Sequence, residues 1–215
     1  MKKVIQAILV IAMIVLAYFI YDSIQKPIRF EKEQKIRYDA TIQRLIDIRT
    51  GEVAFKSTYG RYTGSFDSLV NFIKHGDFKI VKMIGTIPDS LVDQLQMTPK
   101  AAEALALKKG WISRDTVEVP VRDSLYKRPN FVADSLPYVP YTKGHRFELA
   151  AGNIMTGSKV MVNVFQAQVS NDTLLKGLDR QLIINFNEYR EKVADYAGLR
   201  VGSLKEANNN AGNWE

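Results

Sequence analysis

The chain of 215 residues contains no cysteine. That excludes disulfides, thiol nucleophiles, thiolate metal sites and a lipid-modified N-terminal cysteine. Histidine is nearly as scarce: His75 and His145 stand alone, far apart in the chain, and neither forms a metal-spaced pair. No glycine-rich phosphate loop and no nucleophile-elbow pattern occurs. Asp115, Glu118 and Asp123 are flanked by Arg114 and Arg122, so surface ion pairing is the reading for that acidic group. The sequence therefore offers no catalytic residue and no cofactor site, and the expectation is a protein that is not an enzyme.

Charge is equally scarce at the start. No acidic residue precedes Asp22, and Val4 to Tyr21 is apolar except at Gln6. Eighteen helical residues rise about 27 Å, close to the hydrocarbon thickness of a bilayer. A helix satisfies every backbone polar group internally, as lipid requires. Lys2 and Lys3 precede the run, and Tyr18 and Tyr21 fall at its far end, where interfacial aromatics sit. The expectation is an uncleaved anchor contacting the lipid bilayer through Val4 to Tyr21. The rival is a signal peptide cut after Val15-Leu16-Ala17, against which the apolar run continues through Tyr18-Phe19-Ile20.

The formal net charge of +7 is concentrated around that run. Residues 1–62 carry 11 Lys/Arg against 6 Asp/Glu, and residues 63–215 carry 19 against 17. A basic collar beside an anchor suits anionic headgroups, while the nearly balanced remainder lacks the basic face of a nucleic-acid binder, so no nucleic acid is expected as a partner. Counted literally, Lys26, Arg29, Lys32, Lys35 and Arg37 outnumber Lys2 and Lys3 and would keep the C-terminal side in the cytoplasm. Acidic residues lie among them, however, and large domains translocate largely regardless of charge. The expectation is an inner-membrane protein, N-terminus cytoplasmic and C-terminal domain periplasmic.

Past the run the pattern stays helical. Pro27 lacks an N–H and is expected to kink or break the helix. Glu31/Lys35, Glu33/Arg37 and Glu52/Lys56 are i,i+4 pairs in the favourable order. Tyr38, Ile42, Leu45, Ile46 and Ile48 form a core-facing stripe, but Arg49, Glu52 and Lys56 fall on the same arc, either turning the helix face or contacting a partner. Gly60 and Gly64 are expected to stop the helix.

An N-terminal membrane helix, a proline just beyond it and an amphipathic continuation entering Tyr59-Gly60-Arg61-Tyr62-Thr63, then a short helix from Phe66 to Ile73, resembles type IV pilins and type II secretion pseudopilins over about the first 75 residues. The resemblance implies a pilin-like fold and assembly with other envelope proteins. The basic leader of that family and its glutamate early in the helix have no counterpart here, so processing and polymerisation by the family's route are not expected.

Farther along, Phe78 to Ile84 reads as a strand, Asp89 to Leu95 as a short helix, and Lys100 to Lys109 as a helix with Thr98 as N-cap and Gly110 as stop. Thr116 to Val121 reads as an edge strand and Leu136 to Tyr141 as extended chain. Arg146 to Ala151 and Lys159 to Val169 read as strands around a turn at Gly157, with Val160, Val162 and Val164 facing one way. Leu174 to Leu178 reads as a helical turn, Arg180 to Asn187 as a strand, and Ala207 to Glu215 as a loose end with Trp214 as its docking residue. The fold class is α+β: a long transmembrane-plus-amphipathic helix packed on a small antiparallel sheet of about four to six strands. The divisions are an anchor over 1–24, a stalk over 25–62, a periplasmic domain over 63–206 and a polar tail over 207–215.

Asp followed by Ser or Thr and an apolar residue occurs at seven of the thirteen aspartates, where composition gives roughly one. Local capping and turn formation explain some of these. The tripeptide also resembles the O-glycosylation acceptor motif of a phylum of Gram-negative bacteria, modified on the periplasmic side. That resemblance makes Ser68, Ser90, Thr116, Ser124, Ser135 and Thr173 acceptors, with Ser23 too near the membrane. Tyr138 and Tyr141, with Phe131 and Trp111, either line a groove or pack in the core. The leading expectation is a structural or assembly component of the envelope. The alternatives are a membrane-tethered binding module for a small ligand, glycan or peptide, using Tyr138 and Tyr141, and a hydrolase whose site forms only in three dimensions.

Overall fold

The computed structural model describes residues 2–86 and 98–215; the helix expected over Asp89 to Leu95 lies outside them, as does Ser90. The chain is α+β, with a long N-terminal helix and two small antiparallel sheets. In order, the elements are α1 (Lys2–Tyr59), α2 (Phe66–His75), β1 (Asp77–Gly85), α3 (Pro99–Lys108), β2 (Ile112–Pro120), α4 (Val121–Leu125), a 3₁₀ turn (Ala133–Ser135), β3 (Glu148–Met155), β4 (Met161–Ser170), α5 (Asn171–Leu174), α6 (Arg180–Ala194) and β5 (Gly198–Gly202). They form two compact units, Met1–Val70 with Val132–Glu215, and Asn71–Phe131.

Helix α1 spans 58 residues and runs through Pro27. The expected break does not occur. Proline removes one backbone bond and crowds the carbonyl four residues back, a local cost of about 3 kcal/mol, whereas the second half of α1 is held by burial along its length. Phe30, Tyr38, Leu45, Ile48, Ala54 and Phe55 are buried, with Leu45 and Ile48 fully enclosed. Ile42 and Ile46 flank this stripe half-buried. The helix stops where predicted: the Gly60 N–H closes on the Lys56 carbonyl at 2.8 Å, and Gly60 takes φ +74°, which a residue without Cβ adopts freely.

In this first unit the sheet order is β3-β4-β5, with Leu149 opposite Ala167 and Ala167 opposite Val201. Phe165, Ala167 and Val169 supply the enclosed face of β4. This is the opposite parity from the expected Val160, Val162 and Val164 face, of which only Val164 is buried while Val160 is exposed. The Tyr62 and Phe165 rings meet at 4.9 Å. Gly202, at φ +71°, brings its backbone against the Phe165 carbonyl so closely that a Cβ would stand 2.2 Å from that oxygen.

Residues 180–187 lie in helix α6, Arg180–Ala194, and do not form the expected strand. Asp179 is its N-cap, accepting from the Gln181 and Leu182 N–H groups at 3.0 and 3.2 Å. Alternation of Leu182, Ile184 and Phe186 mimics a strand, but the most buried residue is Ile183, and Ile183 with Phe186 has the three-residue spacing of a helix face. The C-terminal segment is likewise docked rather than loose. Gly202 N–H donates to Ala211 O at 3.0 Å, Asn213 N–H donates to Arg200 O at 3.0 Å, and Gly212 bridges Val201.

The second unit pairs β1 with β2 from Asp77↔Pro120 to Gly85↔Ile112, so β2 begins four residues before the expected Thr116. Pro120 ends it, as an edge proline does. Helix α3 has Thr98 at its N-cap position and Lys109 at its C-cap, followed by Gly110 at φ +74°. It encloses Ala102 and Ala106 completely, and Phe131 stacks on Tyr126 with centroids 3.8 Å apart.

Candidate functional site

The first half of α1 is the most unusual surface of the molecule. Every large apolar side chain from Val4 to Tyr21 is exposed, from 45% at Val15 to 65% at Met13 and Ile14. The window of this helix long and apolar enough to cross a membrane has none of its residues buried. Soluble surfaces rarely leave a contiguous apolar patch of this extent uncovered. At the end of the run Asp22 sits with Lys26 at 2.7 Å, and burial begins at Phe30.

The lower half of the same helix is fastened to its domain by polar groups as well as by the apolar stripe. The Tyr38 hydroxyl donates to Asn171 Oδ1, and Asn171 is fully buried. Asn171 Nδ2 donates to Asn187 Oδ1 on α6 at 2.9 Å, and its backbone N–H donates to Ala197 O at 2.9 Å. One asparagine thus joins α1, α6 and the entry to β5. Burial pushes the Tyr38 hydroxyl up to about 12, so it remains a donor. The Phe186 ring packs edge-on against both Tyr38 and Phe30, at 5.6 and 6.3 Å. Arg37 does not pair with Glu33 as the i,i+4 spacing predicts; its Nη1 donates to Leu174 O and Lys176 O at 3.0 and 3.1 Å.

Of the residues read as a partner-contact face, Glu52 has no exposed surface. Its Oε2 accepts from the Thr63 N–H at 2.9 Å, while Oε1 is buried with no hydrogen-bond partner. Burial pushes this carboxyl up to about 8, and the Thr63 N–H offsets the shift only in part. Lys56 is turned over the Tyr62 ring at 4.6 Å rather than toward Glu52. Arg49 reaches Glu215 at 2.6 Å and holds that carboxyl below its usual range. Asn210 donates to the Tyr62 hydroxyl at 2.8 Å, and Asn163 to Gly60 O at 2.8 Å. Arg49, Glu52 and Lys56 therefore serve the chain's own loop and C-terminus. Tyr138 lies under the Arg146 guanidinium at 5.3 Å, and Tyr141, 64% exposed, stands open at φ +59°.

The tripeptide hydroxyls divide by environment. Ser68 and Thr116 are exposed, and Ser124, Ser135 and Thr173 are half-buried. Ser135 Oγ donates to Val132 O at 2.6 Å, and Thr173 shares a bond with Ser170 at 3.1 Å. Among the described residues no group of three or more histidines and carboxylates is placed to hold a metal ion.

The buried Glu52 and the Asn171 junction were not legible as such in the sequence. The only signal was that Glu52 falls on the apolar arc of α1. No family model matches the chain, and no curated protein or solved structure is detectably similar to it.

Proposed function

We propose that this is a non-enzymatic, single-pass protein of the inner membrane, whose periplasmic α+β domain is held at the bilayer by α1 as a pilin-like structural or assembly component of the envelope. The observation that carries this reading is the division of one unbroken helix. The large apolar side chains from Val4 to Tyr21 are all exposed, while Leu45 and Ile48 of the same helix are fully enclosed by the domain. A helix shared in this way couples the domain to the bilayer through helical backbone that is missing only the hydrogen bond Pro27 cannot donate, instead of a flexible linker. Exposure of Ser68 and Thr116 makes them the most accessible O-glycosylation acceptors among the described residues in this reading. The Tyr59 to Thr63 loop and the short helix that follows support the pilin-like part.

The experiment is alkaline extraction of native membranes followed by intact mass of the recovered chain. The reading predicts the full-length mass in the membrane pellet, alone or with sugar increments. Release into the supernatant, or a mass short of the first seventeen residues, would overturn it.

A further inference from the structure

A second surface of the first unit is built differently from the rest. A cleft of about 490 Å³ is lined by Arg37, Tyr141, Thr142, Lys143, His145, Thr173, Lys176 and Gly177. Among the described residues that line it, every charged side chain is basic and none is a carboxylate. That is unusual in a region where basic and acidic residues are otherwise nearly balanced.

Both walls are fixed. On one side the 139–145 turn is closed by Val139 N–H to His145 O at 2.8 Å and Gly144 N–H to Thr142 O at 2.8 Å, with Thr142 Oγ1 on Val139 O at 2.7 Å. On the other, Arg37 holds the Leu174 and Lys176 carbonyls, and its Nε is buried without a partner among the described residues. Lys143 and Lys176 extend into solvent, with no hydrogen bond or ion pair on either ammonium among the described residues. The Tyr141 ring adds an exposed apolar wall. A cleft of this size is in the range of small-molecule sites, and cations uncompensated by carboxylates select anions. Arginine and lysine with threonine hydroxyls are the donors that hold a phosphate group.

We propose that this cleft binds a phosphomonoester carried on a small organic body, with Lys143 and Lys176 holding the phosphate, the Arg37 guanidinium adding positive charge from the wall it fixes, and Tyr141 covering the body. The phosphate source is either a soluble metabolite or a lipid headgroup. The site does not depend on whether Val4 to Tyr21 spans a bilayer, so the two readings fail separately.

The test uses the full chain in a neutral maltoside detergent, titrated calorimetrically with glucose 6-phosphate, inorganic phosphate and glucose. A parallel arm measures co-flotation with phosphatidylcholine vesicles with and without phosphatidic acid. Binding of glucose 6-phosphate but not glucose is expected, or phosphatidic-acid-dependent flotation if the source is lipid. Either should weaken about tenfold for each of Lys143→Ala and Lys176→Ala, the loss of one charge-assisted hydrogen bond. Lys205→Ala, on an exposed lysine elsewhere, should leave it unchanged. The proposal is overturned if neither arm shows binding, or if Lys205→Ala weakens binding as much as the cleft variants. Thermal melts of the variants matching the parent exclude misfolding as the cause.

Discussion

Glu52 provides the sharpest energetic prediction. A carboxyl that moves from 4.5 to about 8 on folding binds its proton more tightly in the folded chain than in the unfolded one. Between these two values the folded state holds more protons, so stability falls as pH rises. The contribution is fully present below about pH 4.5, declines from there to about pH 8, and is flat above. The corresponding free energy is on the order of 3–5 kcal/mol. Glu52→Gln keeps an oxygen to accept from Thr63 but cannot ionise. At pH 5 it should match the parent or lose about 1 kcal/mol for its unpaired amide donor. At pH 9 it should be more stable than the parent by about 2–4 kcal/mol, because the parent then holds a buried carboxylate with one oxygen unpartnered. Urea unfolding of the full chain in detergent at pH 5, 7 and 9, followed by Trp214 fluorescence in a Trp111→Phe background, reads this directly. A Gln variant with the parent's pH slope, or a parent that gains stability from pH 5 to 8, would refute the reasoning.

The remaining predictions concern the fastening of α1 and its neighbours. Tyr38→Phe strands the Asn171 carbonyl oxygen and should cost about 1–3 kcal/mol, with Asn171→Leu costing more because it also releases Asn187; denaturant midpoints measure both. Removing residues 207–215 takes away the Gly202 and Arg200 backbone partners and the Arg49–Glu215 pair, so the melting temperature of the first unit should drop by several degrees, where a loose tail would leave it unchanged. Gly202→Ala forces a Cβ against the Phe165 carbonyl at a positive φ and should cost more than about 1 kcal/mol, read by the same melts.

How much of this was legible follows from which forces are local. The Val4 to Tyr21 run, the stop at Gly60 and helix α3 before Gly110 depend on composition and on residues adjacent in the chain, and they stand where the pattern places them. Pro27 does not break the helix because its penalty is local while the burial that overrides it is distributed over Phe30 to Phe55. Residues 180–187 mislead because three alternating apolar side chains satisfy a two-residue period while Asp179 caps a helix, and only packing on Phe30 and Tyr38 decides between them. The division into a two-stranded and a three-stranded sheet, in place of one sheet, is set by pairings such as Ala167 with Val201 that no local pattern encodes. The same holds at the sites: a glutamate on a mostly apolar arc reads as a surface residue until the Thr63 N–H is placed against it. A basic cleft drawn from positions 37, 141–145 and 173–177 has no signature in the linear chain.

The central claim is that α1 threads the bilayer with its domain on the far side, and the absence of cysteine makes it directly measurable. Single cysteines at Lys3→Cys and Lys205→Cys, each the only thiol in the chain, would be exposed to a membrane-impermeant maleimide in cells with permeabilised outer membranes. The account predicts labelling at position 205 in intact spheroplasts and at position 3 only after the inner membrane is opened. Labelling at position 3 with protection at position 205 would reverse the orientation. Equal labelling of both before lysis would contradict the membrane-spanning helix.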